Sequence, residues 1–399
     1  MERYSSYKVS GETWLGEIPS HWEIKRLGSY FCERRSKVSD KDYAPLSVTK
    51  NGILPQLENV AKSNDSGNRK MVCAGDFVIN SRSDRKGSSG VSPLDGSVSL
   101  INIVLEPRGK NLLADYCNYL LKSYSFIEEY YRNGRGIVAD LWTTRYDEMK
   151  SIKLSMPPLP EQRAIVKYLD RVTSDIDCAI EQSQRMIDLL NERKQIIIQH
   201  AVTKGLNPNA KLKDSGVEWI GMVPEGWECL PLKYCVSIKN GRDYKHIVAE
   251  QGYPVIGSGG QFAFASEYMY DGEVVFFGRK GTVDKPLYYN GKFWAVDTMF
   301  YAILKENIVG KYLFYQAQTI PYKLYSTSTA VPSMTQTDLG NNKICLPSID
   351  EQSEIISFIE ETIKPIDHNI QHQNKLIALL RERKQIIINE VVTGKVKVS

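Results

Sequence analysis

Two stretches of this chain occur twice, in the same order, and that repetition limits the possible fold more than any other feature. Ser10-Gly11-x-x-Trp14-Leu15-Gly16-x-Ile18-Pro19-x-x-Trp22 returns 205 residues later as Ser215-Gly216-x-x-Trp219-Ile220-Gly221-x-Val223-Pro224-x-x-Trp227. Residues 153–206 return without a gap as 343–396, at an offset of 190 and with 20 of 54 positions identical. The match is densest in Glu192-Arg-Lys-Gln-Ile-Ile-Ile198 against Glu382-Arg-Lys-Gln-Ile-Ile-Ile388. The intervening segments, 23–152 and 228–342, differ in length by 15 residues and share little. A solenoid repeats every 20–50 residues and buries neighbour against neighbour. The spacing here is far longer, so each copy must hold a whole globular domain. The total of 399 residues, 42% hydrophobic and 25% charged, suits two or three folded domains rather than one core. A doubled chain also predicts approximate two-fold symmetry.

The closing segment of each copy reads as helix. Ile165, Leu169, Val172 and Ile176 begin an apolar stripe that Ile180, Ile187, Leu190, Ile197 and Ala201 continue. The second copy repeats it through Ile355, Ile359, Ile366, Ile370, Leu376, Leu380 and Ile387. The period of 3.5–3.6 is that of an amphipathic helix. Ser174-x-x-Asp177 has the form of a capping box, and Pro365 falls at the aligned place, so each stripe is expected to break. Short helices over 161–171 and 351–362 would precede long ones over 175–202 and 366–392. An antiparallel long pair, each about 42 Å in length, would act as a ruler between two domains. The tryptophans of the opening motif are expected in the core.

Both middles mix short strands with glycine turns and then a helix. Strands are expected at 76–80, 98–105, 273–277 and 300–304, and helices at 111–131 and 310–325. A polar, basic, glycine-bearing loop follows the first of these strands in each copy: Ser81-Arg82-Ser83-Asp84-Arg85-Lys86-Gly87 in one, Gly278-Arg279-Lys280-Gly281-Thr282 in the other. Such loops can present cations to phosphates and guanine edges. Ser47, Thr49 and Lys50, and Ser258 and Gln261 in a glycine-rich turn, are further candidates. Arg69, Trp142, Arg145 and Ser333 are weaker ones. Any single loop of this kind is more often a solvated turn; its recurrence at one place in both copies brings nucleic-acid contact level with that reading.

Several function classes are disfavoured. A balance of 51 basic and 47 acidic residues argues against binding by bulk charge. No long apolar run suggests a membrane span, and the polar opening MERYSSYKVS does not read as a signal peptide. Seven cysteines without a C-x-x-C suggest reduced thiols in a cytoplasm rather than a disulfide framework. There is no phosphate-loop motif. His368 and His372 lack a third partner and read as a solvated helix face, so no metal is expected. No catalytic constellation stands out.

Together these features resemble the DNA-specificity subunit of type I restriction-modification enzymes. The resemblance is carried by the doubled opening motif, Pro157-Pro158-Leu159-Pro160-Glu161-Gln162, the helix ending Glu192–Ile198, and Val202-Thr203-Lys204-Gly205-Leu206. It covers nearly the whole chain. The second copy departs from it at Pro347-Ser-Ile-Asp350-Glu-Gln352 and at Pro365. The resemblance implies an α/β (α+β) fold: two globular target recognition domains related by a pseudo-two-fold axis and separated by an antiparallel pair of long helices. Residues 1–152 and 215–342 would be the recognition domains, 153–206 and 343–399 the conserved helical regions, and 207–214 a linker. It further implies a non-catalytic, cytoplasmic subunit that reads a bipartite site on double-stranded DNA. Two methyltransferase subunits, which bind S-adenosylmethionine, would dock on the helices, with motor-nuclease subunits joining them. Pro158, Glu161, Gln162, Arg193, Lys194, Glu351, Gln352, Arg383 and Lys384 are the implied docking residues. A helical scaffold without DNA readout is the alternative. A self-sufficient methyltransferase is disfavoured, because Asn207-Pro208-Asn209 does not match the N-P-P-[FY] of such enzymes.

Overall fold

The computed structural model describes residues 2–56, 67–109, 111–136, 142–322 and 332–398. The chain divides into two compact units, Met1–Gln182 with Leu376–Ser399, and Ser183–Lys375. Each unit is mixed α and β, and each takes part of both long helices.

In the first unit the opening motif forms a hairpin, Tyr7–Val9 against Glu17–Pro19. Strand Glu23–Arg26 pairs with Lys153–Met156, joining the start of the variable middle to the first residues of the repeated closing segment. The central antiparallel sheet runs Ser89–Val91, Phe77–Asn80, Asn102–Pro107, Phe31–Glu33. Phe77, Val78 and Ile79 are all buried, so side chains are sealed on both faces of that strand. In the second unit a seven-stranded sheet runs Val236–Asn240, Met299–Leu304, Tyr270–Gly278, Leu287–Ala295, Tyr253–Gly257, Gly260–Ala265, Val248–Ala249. Its pairings are antiparallel except Val255 and Ile256 beside Trp294 and Ala295. Of the tryptophans expected in the core, Trp22 and Trp227 are buried, while Trp14 and Trp219 are half-buried and pack against it.

The expected helix breaks are absent. One helix runs Leu159–Lys204 and another Ile349–Val392, with Pro365 inside the latter. Asp177 does not cap a helix; its carboxylate accepts from Lys384 Nζ at 2.6 and 2.7 Å. Around Pro365, Ile359, Ile363 and Ile366 are buried, and that burial outweighs a cost of about 3 kcal/mol for an interior proline. Within the first unit the two helices are antiparallel. Trp22 touches Glu161 at the start of one, an ideal Cβ on Gly394 past the end of the other would lie 3.2 Å from Trp22, and Asp177 meets Lys384 further along. Within the second unit Lys194 pairs with Asp367 at 2.7 Å. These two ion pairs are repeat mates with the helices' roles exchanged.

Other elements also differ from expectation. The strand expected at 98–105 is two strands, Gly96–Val98 and Asn102–Pro107, separated by a turn in which the Asn102 amide donates to Ser99 O and Leu100 and Ile101 stay exposed. The helix expected at 111–131 is two helices, Ala114–Leu121 and Tyr124–Arg132. Ser123 divides them by accepting from the Phe126 amide as an N-cap. The helix expected at 310–325 ends at Ala317; residues 323–325 lie outside the described residues. The linker 207–214 ends in a strand, Leu212–Asp214, paired with Met222–Pro224.

Candidate nucleic-acid interface

In the first unit the buried strand Phe77–Asn80 delivers the chain to Ser81, after which Ser83–Arg85 makes a single 3-10 turn. The loop is bolted from beneath. The Thr144 amide donates to Ser81 O and the Ser83 amide to Trp142 O, at 3.0 and 3.1 Å, and Arg82 bridges Thr143. Tyr131 Oη donates to the carbonyls of Asn80 and Arg82, while Trp142 Nε1 donates to Tyr131 O. A rigid base therefore holds the exposed Arg82 and Arg85 outward. Arg82 carries no ion-pair partner among the described residues. Arg85 lies 3.8 Å from Asp84, and Lys86 pairs with Glu128 at 2.6 Å above the Tyr131 ring. Arg145 is exposed on the adjoining segment. Arg135, which the sequence reading missed, also bridges Thr143 and so joins the group. Only the tertiary pairing signals it, since nothing local distinguishes this arginine.

The second unit builds the same device. The Met334 amide donates to Arg279 O and the Gly281 amide to Pro332 O, at 3.0 and 2.9 Å, and Lys280 bridges Ser333. Arg82 and Lys280 are therefore structural counterparts, as are Thr143 and Ser333. Gly278 is required, because a Cβ there would lie 2.1 Å from Thr282 O. Arg279 is partly tied down: its amide donates to Thr298 O at 2.8 Å, its Nη1 to Asp297 O at 3.4 Å, and its guanidinium lies over Phe300. Lys280 and Thr282 are exposed, and Lys280 has no ion-pair partner among the described residues. Asp297 and Thr298 also line a cavity of about 420 Å³ with Ser258 and Phe262, so the glycine-rich turn and the basic loop share one neighbourhood. Gln261 is exposed beside it, and so is Phe262, which the sequence reading did not single out.

Ser47, Thr49 and Lys50 fall on the hairpin Leu46–Thr49/Gly52–Pro55. There Thr49 Oγ1 donates to Gly52 O, and Lys50 O accepts from Lys122 Nζ, whose pKa burial lowers. Arg69 requires correction: it is buried, with Nε donating to Ser97 Oγ at 2.8 Å and Nη2 to Ser97 O at 3.1 Å, and burial is the main force lowering its pKa. It braces a sheet and does not face solvent.

The implied docking residues divide similarly. Gln162 and Gln352 are buried, and each clamps a loop in the same way. Oε1 accepts from Leu113 N or Val309 N at 2.9 Å. Nε2 donates to Asn111 O and Pro157 O, or to Asn307 O and Pro347 O. Glu161 and Glu351 accept from the indoles of Trp22 and Trp227 at 3.2 and 3.0 Å. Lys194 and Lys384 form the ion pairs between the long helices. These six residues hold the chain together; Pro158, Arg193 and Arg383 are the exposed members of the set. Among the described residues no cluster of three His, Cys, Asp or Glu side chains could hold a metal ion.

The model of the type I restriction modification DNA specificity domain matches residues 19–185 and again residues 224–378. The chain belongs to this family. The two matches coincide with the two copies of the repeat. Among specificity subunits, the chain is 24% identical over 446 residues to the putative type I restriction enzyme MjaX specificity subunit of Methanocaldococcus jannaschii, covering 97% of this chain and 96% of that one. It is 24% identical to the MjaVIII specificity subunit of the same organism, covering 96% and 94%. A solved chain from work on complex assembly and conformational transition of the type I R-M system superposes with a TM-score of 0.69 at 16% identity, over 95% of this chain and 99% of that one. At that identity the likeness concerns the fold.

Proposed function

We propose that this specificity subunit reads a bipartite, asymmetric site on double-stranded DNA, one half-site per unit. One observation carries the reading. Two middles with little sequence in common build the same exposed basic loop, braced by the same backbone bonds, with Arg82 and Lys280 as counterparts. Arg85, Lys86 and Arg279 support them, and Arg135, Arg145 and Thr282 complete the two surfaces. The chain reads DNA without performing chemistry on it; methyl transfer, with S-adenosylmethionine, belongs to the partner subunits, and the complex works in the cytoplasm.

The docking reading rests on a second repeat. Met186, Leu189 and Ile196 are exposed on one long helix, and their repeat mates Leu376, Leu379 and Ile386 are exposed on the other. Leu189 and Ile196 are 61% and 58% exposed, Leu379 and Ile386 52% and 49%, although each lies on an ordered helix. A stripe of this kind suits an apolar helix face of a partner. Its duplication suits two methyltransferase subunits, with motor-nuclease subunits joining through them.

Arg82→Ala and Lys280→Ala, each assembled with its partners, should weaken binding by about 1–3 kcal/mol and relax preference in a different half of the site. Footprinting and competition binding read both effects. Wild-type protection and preference in both variants would remove the DNA-reading assignment and leave the scaffold alternative. Leu189→Asp with Leu379→Asp should abolish co-purification of the methyltransferase subunit while leaving the circular dichroism spectrum unchanged.

A further inference from the structure

Strand Glu228–Pro231 pairs with Lys343–Leu346, and this ladder sets Cys229 directly opposite Cys345. Their sulfurs lie 3.2 Å apart. Residues directly opposed on antiparallel strands have Cα atoms about 4.5–5.5 Å apart, inside the range a disulfide spans. A bond therefore needs only a small rotation of the side chains. The two thiols are unlike in setting. Cys345 is sealed in the core, and its carbonyl is pinned by Tyr312 Oη at 3.0 Å and Gln316 Nε2 at 3.1 Å. Cys229 is partly open to solvent.

We infer that Cys229 and Cys345 form a reversible dithiol–disulfide site, closed by a hydroperoxide and reopened by a small-molecule thiol. Cys229 is the attacking sulfur, being the one a peroxide can reach. Its thiolate takes the terminal oxygen of hydrogen peroxide, the O–O bond breaks, and the departing hydroxide leaves as water. The resulting sulfenic acid is attacked by the Cys345 sulfur, the S–O bond breaks, and a second water departs. Two thiols are oxidised by two electrons and one peroxide is reduced to two waters. The hydrogen bond with Cys345 lowers the pKa of the Cys229 thiol, and Lys213 and Lys343 act in the same direction. Cys345 is pushed up by its bond to Cys229 and by burial, as suits the resolving partner. The closed bond staples the strand that follows the second opening motif to the strand that leads into the second long helix. The first unit has no counterpart, because Ile24 stands opposite Ser155 in the equivalent ladder.

The test is peroxide treatment of the full chain, alkylation, and non-reducing peptide mass spectrometry. The expected product is one cross-link joining Cys229 to Cys345. Thiols counted in denaturant should fall from seven to five and return with dithiothreitol. The melting midpoint of the second unit should rise by about 5–10 °C, because the bond closes a long loop. Alkylation of reduced Cys229 should accelerate with rising pH at a lower midpoint than an ordinary thiol shows. In Cys345→Ser, peroxide should leave Cys229 as a dimedone-reactive sulfenic acid without a cross-link. Seven thiols retained after treatment, a cross-link between other cysteines, or Cys229 oxidised alone in the wild-type chain would overturn the inference. Oxidation of Cys345 in Cys229→Ser would do the same.

Discussion

Gln162 and Gln352 each close three hydrogen bonds to backbone groups inside the chain, and neither reaches solvent. Replacing either with Leu would orphan buried amide and carbonyl groups. Each variant should therefore lose about 1–3 kcal/mol of stability, measured as a lower denaturation midpoint. Unchanged midpoints would show that water replaces the side chain. The Glu-Gln pair was plain in the repeat, but its work was not. A glutamine that grips backbone and one that meets a partner look identical in sequence, because only distant chain segments decide what surrounds it. Arg69 teaches the same point in reverse, as a cation suited to phosphate that Ser97 holds inside a sheet.

Among the elements, the helical stripes were legible from their period, because an amphipathic helix needs that spacing whatever it packs on. Continuity was not legible. Local signals at Ser174 and Pro365 favoured breaks, and burial on either side overrode them. Pro365→Ala should restore a backbone hydrogen bond and relieve the ring's contact with the preceding turn, raising stability by about 1–3 kcal/mol. Calorimetry would show this as a higher melting midpoint, and a lower one would mean that the helix uses a bend at this point. The split between Ala114–Leu121 and Tyr124–Arg132 failed for a related reason, since one serine cap outweighed an apolar pattern spanning both.

For the whole molecule, each unit borrows the end of the other copy's helix. Ile387, Ile388, Val391 and Val392 pack with Trp22, Tyr116 and Leu169 in the first unit, while Ile198, Ala201 and Val202 pack with Trp227 and Tyr312 in the second. A chain ending at residue 375 should therefore unfold its N-terminal unit, although that unit's own sequence is intact. Hydrogen exchange over residues 1–182 would rise to near the unfolded rate, while residues 183–375 stay protected. Equal protection in both would show that the last helix is dispensable. The sequence alone determined the doubling, the helical stripes and the family, because repetition and period are local properties that survive without neighbours. Tertiary structure alone decided which polar side chains face outward, that Arg135 joins Arg82, and that Cys229 meets Cys345. Those partnerships join residues tens to hundreds of positions apart, and strand register and packing set them.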